Sequence, residues 1–212
     1  MLRLLAICLL TSCLAAEFSS AEIVGVAGGY DAPPPTLGPY HMTPFPLDDR
    51  PLYEPVMDVS SPLGGDVVFS HALYHYRVIG GGGWAVWGHG YTGDVYATGA
   101  VDEYALDLPH DTFAFYLYAD WFPGDKPRQI TAMADDGTTV VQAVSDDLGT
   151  AYFGFYQDDP AGAPIESITV SCPDVAMVAV GEFGIAIPGA GPGALPLLGV
   201  AVIGAASRRR RR

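Results

Sequence analysis

The residues in this chain best suited to chemistry are aromatic and acidic, and most of them sit beside turns. Trp84, Trp87 and Tyr91 fall within one glycine-rich stretch, and Trp121 closes a later apolar run. Flat rings at a strand rim suit stacking on pyranose sugars, so these four residues, with Tyr74, Tyr76 and Tyr96 nearby, form a candidate carbohydrate platform. The same rings also suit sandwich cores and cross-strand pairs. Three carboxylate pairs, Asp135-Asp136, Asp146-Asp147 and Asp158-Asp159, fall in expected loops. Calcium takes about six to eight hard oxygens, which loop aspartates and carbonyls can supply. No twelve-residue calcium-loop pattern accompanies them, and acidic turn residues have local hydrogen-bonding reasons of their own. Calcium is therefore a weak candidate cofactor, and no other cofactor or metal is assigned.

His71 and His75 are four apart, which on a strand puts them on one face with Tyr74 and Tyr76 opposite. Further ligands for a metal are not identifiable, and His89 and His110-Asp111 fall in loops. No Gly-x-Ser-x-Gly, His-Glu-x-x-His or glycine-rich phosphate loop occurs. Paired acids for glycoside hydrolysis need only spatial approach, and a chain with this many acids always offers candidates. The expectation is a protein without catalytic residues, with a carbohydrate-binding module as alternative and a secreted hydrolase as second alternative.

These residues need a scaffold, and the sequence describes one. From Leu63 on, short β-type runs alternate with turn clusters. The expected strands are 66–79, 84–87, 94–98, 103–108, 112–121, 128–134, 138–145, 151–157, 165–171 and 175–187. Such spacing argues for an all-β domain, a single jelly-roll-like antiparallel β-sandwich. Ile130, Ala132 and Ala134 alternate with Gln129 and Thr131, and Asp136-Gly137 signals a hairpin into the next strand. The run from Thr112 to Trp121 is apolar on both faces, which marks a central, doubly covered strand.

Charge narrows the partners. Only Arg50, Arg77, Lys126 and Arg128 stand inside against all 24 carboxylates; the other basic residues are Arg3 and Arg208 to Arg212. Such a field repels phosphates, so nucleic acid is excluded as a partner. Cys8 and Cys13 lie near the start, leaving Cys172 alone as a small buried hydrophobe.

The two ends read as export devices. Residues 1–16 carry one positive charge, an apolar run from Leu4 to Leu10 and small residues at Ala15 and Ala16, the pattern of a signal peptide. Leu10-Thr11-Ser12-Cys13 leaves lipidation of Cys13 as an alternative. From Tyr30 to Pro62 prolines are so frequent that residues 17–62 read as an extended leader, with the folded domain at 63–187. Residues 188–212 form a tail: a Pro/Gly segment, an apolar run from Leu195 to Ala206, and five arginines. As a helix, 192–207 covers about 24 Å, short against a bilayer core of about 30 Å, and the arginines favour the cytoplasmic side.

Ile187, Pro188, Pro192, Gly193, Ala194 and Leu195, followed by Leu197-Leu198-Gly199 and Arg208, Arg209, Arg210, Arg211 and Arg212, resemble the PEP-CTERM sorting signal. That signal is the bacterial tail recognised by exosortase. Here Pro-Gly-Ala-Leu stands where the family has Pro-Glu-Pro, and Pro196 interrupts the early helix. The resemblance implies transient anchoring in the bacterial inner membrane and cleavage near the proline motif by an exosortase-type membrane protease. It also implies delivery to the cell surface or an exopolysaccharide matrix; an ordinary single-pass anchor is the alternative. The stretch from Gly82 to Tyr96, with 112–118, 130–139 and 181–185, is similar to uncharacterised β-sandwich domains of such surface proteins.

Overall fold

The computed structural model describes residues 22–79, 82–83, 87–99, 101–122, 126–145 and 149–189. The signal peptide, the tail from Pro192 onward, Trp84, Asp146 and Asp147 lie outside the described residues. In chain order the strands are β1 (Ile23–Gly29), β2 (Thr36–Leu37), β3 (Tyr40–His41), β4 (Thr43–Pro44), β5 (Pro55–Ser60), β6 (Asp66–Ile79), β7 (Gly82–Gly83) and β8 (Asp94–Ala97). They continue with β9 (Glu103–Asp107), β10 (Ala114–Phe122), β11 (Arg128–Ala134), β12 (Thr139–Val144), β13 (Ala151–Gln157), β14 (Ser167–Ser171) and β15 (Met177–Ala186). The only helical turn among the described residues is a 3₁₀ turn at Gly88–Gly90, and no helix there is long and apolar enough to cross a membrane.

The fold is all-β and antiparallel, a jelly-roll-like sandwich nearly closed on itself. Its strands run β1-β13-β10-β15-β8-β6-β9-β14-β11-β12. The long β6 turns the corner between layers, because Val68 and Phe69 pair with β9 while Tyr74 to Arg77 pair with β8. The ends of this path meet along a seam. The Ile23 N–H donates to the Asp136 carboxylate at 3.2 Å, and the Thr138 hydroxyl donates to the Ile23 carbonyl at 3.0 Å.

Period-two patterning sets the faces. In β11, Ile130, Ala132 and Ala134 are buried while Gln129 and Met133 are exposed. In β10, Phe115, Leu117, Ala119 and Trp121 enter the sandwich interior, and Ala114, Tyr116 and Tyr118 enter a second apolar layer outside the same sheet. This strand lies between β13 and β15, so both its faces are covered. Leu37, Tyr40 and Trp87 help close the second layer. At ~25 cal/mol per Å² of apolar area, each buried Phe or Leu contributes about 2 kcal/mol toward offsetting chain entropy.

Among the described residues no second apolar layer covers the opposite outer face. Across β12, β11, β14 and β9 the outward positions line up in rows, Val141-Thr131-Ser171-Glu103 and Thr139-Met133-Thr169-Ala105.

One expectation needs correcting. The folded unit does not wait for Leu63 but includes residues from Ile23 on, since β1 to β5 lie within the supposed leader. Ile23, Leu37, Tyr40, Val56 and Val59 are core residues. Proline is compatible with this because it sits where its missing N–H costs little, as Pro55 does at the first position of β5. The chain also enters and leaves at one rim. Asp158 N–H bonds the Glu22 carbonyl, Gln157 N–H the Phe113 carbonyl, and Phe113 N–H the Ala186 carbonyl, one row across four neighbouring strands.

Candidate functional site

Among the described residues, those expected from sequence to form a site are not brought together. Trp121 is 4% exposed, and its indole N–H donates to the Val144 carbonyl at 3.0 Å while the Arg128 guanidinium lies 5.7 Å from its ring centre. Trp87 is 7% exposed and belongs to the other apolar layer, where its ring meets Tyr91 at 6.1 Å. Apolar burial thus takes both indoles away from the solvent-facing rim that sugar stacking requires, and Trp87, Tyr91 and Trp121 form no common platform.

Of the acidic pairs, Asp135, Asp136 and Asp159 bind the protein's own backbone. Asp135 accepts the Glu166 N–H at 3.0 Å, and Asp136 accepts those of Thr138 and Ile23. Asp159 accepts the Ala161 N–H at 2.9 Å. Their oxygens act as turn caps. Among the described residues no group of three or more His, Cys, Asp or Glu side chains converges as a metal would need. The histidines also part company: His71 is exposed and bonded to Ser70, whereas His75 is fully buried.

Two constellations emerge that sequence spacing did not announce. The first is a charged knot beneath the proline-rich segment. Arg50 bonds Asp48 and Asp58, and Arg77 bonds Asp94 at 2.7 Å and the Asp48 carbonyl at 2.7 Å. His75 faces Asp94 through Nε2 at 2.9 Å and the Pro51 carbonyl through Nδ1 at 3.2 Å, with Tyr96 stacked at 5.3 Å. Burial pushes the Asp48 carboxyl up, but hydrogen bonds from Arg50 and the Tyr96 hydroxyl outweigh it and hold it at about 2. An open cavity of 630 Å³ lies against this knot, lined by Leu47, Asp48, Asp49, Arg50 and Asp58 among others. The knot fastens residues 46–51 to β6 and β8.

The second is a Trp87–Glu182–His89 chain on the outside of the β10–β15 pair. In β15, Glu182 and Phe183 oppose the single residue Leu117, a bulge that sends Phe183 inward and Glu182 outward. Glu182 takes φ 50°, and His89, in the turn after Trp87, takes φ 43°. Glu182 Oε1 meets His89 Nε2 at 2.8 Å, and the Trp87 indole N–H donates to Oε2 at 3.2 Å. The His89 ring lies 5.0 Å from Tyr118, and only 13% of its side chain is exposed. Burial raises the Glu182 pKa, and the bonds from His89 and Trp87 only partly oppose this. The Tyr152 hydroxyl is buried in the same aromatic layer without a hydrogen-bond partner among the described residues. This arrangement orients an imidazole through Nε2 and leaves Nδ1 as its second hydrogen-bonding position. Its one sequence signal is His89 between two glycines; the 93 positions separating it from Glu182 carry none.

No protein-family model matches this sequence, and no curated protein matches it.

Proposed function

We propose that this chain is an exported, non-catalytic scaffold protein of the bacterial cell surface or extracellular matrix, sorted through its C-terminal tail. The tail from Ile187 to Arg212 supplies the address, and an exosortase-type protease removes it after a transient hold in the inner membrane. One observation in the folded domain carries the scaffold reading. The side chains best equipped for chemistry are engaged with the protein itself: Trp121 on Val144, Asp135 and Asp136 on turn amides, and Arg50 and Arg77 on Asp48 and Asp94. The surrounding exopolysaccharide is then a medium in which the domain resides, and the acidic surface keeps it soluble there.

Intact-mass measurement on protein recovered from the surface fraction tests the sorting step. The mature species should lack the apolar run and Arg208 to Arg212. Recovery of full-length tail from that fraction would refute processing.

A further inference from the structure

Residues 46–51 form a strap that belongs to no strand and turns its backbone to side chains instead. Pro46 and Pro51 have no amide to donate. The Asp48 N–H donates to Asp94 Oδ2 at 2.6 Å, and the Asp48 carbonyl accepts from Arg77 at 2.7 Å. The Pro51 carbonyl faces His75 Nδ1 at 3.2 Å. His75 itself is fully buried on β6, with Asp94 Oδ1 2.9 Å from Nε2. A backbone carbonyl can only accept. Asp94 accepts as well, at Oδ1 from Arg77 and at Oδ2 from the Asp48 amide, as an ionised carboxylate does. Both ring nitrogens thus face acceptors, and only an imidazolium carries two N–H donors.

We propose that His75 is a buried imidazolium that latches the strap to the sandwich, and that loss of its second proton releases the strap at Pro51. The charged groups around the ring come from every element packed on it. Arg77 lies on its own strand, Asp94 and Tyr96 on β8, Asp48, Asp49 and Arg50 on the strap, and Asp58 on β5 beyond Arg50. Four carboxylates against two guanidiniums favour a third positive charge there. The Tyr96 ring, stacked at 5.3 Å, covers one face of the imidazole. Burial pushes the Tyr96 hydroxyl up, so it stays neutral and goes on donating to Asp48. Once neutral, the imidazole keeps a single N–H. Asp94, the stronger acceptor, retains it through Nε2, and the Nδ1 lone pair is left against the Pro51 carbonyl oxygen. Two acceptors in contact repel, and the carbonyl turns to water in the 630 Å³ cavity that Pro51 helps line. The bonds at Asp48 hold the other end of the strap, so the release is local to residues 49–52. The latch is closed at low pH and opens as pH rises through the loss of that proton. It goes beyond the scaffold reading and holds whatever the domain's destination.

Nitrogen-15 spectroscopy of the histidine rings, on the full chain in a mild non-ionic detergent, reads the protonation. At about pH 5 both His75 nitrogens should carry protons that exchange slowly with water, and the signals missing from His75→Gln assign them. Amide hydrogen exchange, corrected for its intrinsic pH dependence, reads the strap. From about pH 5 to about pH 9, protection at residues 49–52 should fall at least about tenfold relative to β11. Asp48, held at about 2, is ionised throughout that window and does not drive the change. In His75→Gln, which cannot take up the charge, the ratio of strap to β11 protection should stay flat with pH. A single N–H on the His75 ring at about pH 5 overturns the proposal. So does strap protection that ignores pH in the wild type, or that falls equally in His75→Gln. If His75→Gln does not fold, ring contacts to Tyr96 assign the wild-type signals, and the ring and the strap must change at the same pH. Separate midpoints overturn the latch.

Discussion

Glu182 and His89 hydrogen-bond at 2.8 Å while both hold left-handed backbone, at φ 50° and 43°. Each such non-glycine conformation costs about 1–2 kcal/mol, so the contact joins two strained points of the chain. Glu182→Gly should therefore relieve backbone strain yet lose the bonds to Trp87 and His89. Glu182→Gln keeps a hydrogen-bonding head and removes the buried charge. Because burial raises the Glu182 pKa above its ordinary value of 4.5, its stabilising contribution is complete below that value and is lost as pH rises through the folded pKa. Denaturant titrations should show the wild type losing stability relative to Glu182→Gln from acid toward neutral pH. A difference constant over that range would contradict the burial of this carboxylate.

Asp48 should behave in the opposite sense. It is held at about 2 against an ordinary 3.8, so its stabilisation is present above about pH 4 and disappears as pH falls toward 2. Asp48→Asn should cost on the order of 1–2 kcal/mol at pH 7, discounted for the half-solvated Arg50 partner. It should cost almost nothing near pH 2. Parallel urea titrations at the two pH values measure the convergence.

Gly184 is the seat of an aromatic ring. A Cβ there would lie 2.2 Å from the Tyr116 ring, which is directly paired with it across β10 and β15. Gly184→Ala should destabilise by about 1–3 kcal/mol, because Tyr116 is buried and cannot swing away. In the double variant with Tyr116→Ala the penalty of Gly184→Ala should shrink, and thermal unfolding of the four-member cycle reads the coupling.

Asp136 holds the seam. Asp136→Ala removes the acceptor for both Ile23 and Thr138 and should cost about 1–2 kcal/mol. Amide exchange should rise first in β1 and β12, before β10 or β15. Uniform exchange across all strands would show that the seam is not a separate unit.

Much of the sandwich was legible because local pattern and tertiary role agree. Arg128–Ala134 and Ala151–Gln157 appear as strands with the bounds expected from their runs, and Gly137, at φ 92°, closes the Asp136-Gly137 hairpin. The strands before Leu63 were hidden because their pairing energy is non-local. β1 is glycine-rich and recognisable only through its ladder to β13, and β5 through its ladder to β6. The burial of Trp87 and Trp121 was illegible for a related reason: composition marks them as chemically able, but which face of a strand is covered decides whether they meet solvent. Glu182 was illegible as a site residue because a bulge, not a motif, turns it outward.

The common rim of Glu22 and Ala186 has a mechanical consequence. If the domain hangs from its C-terminal side, drag enters at β15, which is hydrogen-bonded to β10 on one flank and to β8 and β4 on the other. Force along that strand loads these ladders in shear, many bonds at once, while a pull on Ile23 peels β1 from β13 one rung at a time. The molecule should therefore resist tension far better when gripped by its tail than when stretched between its two ends.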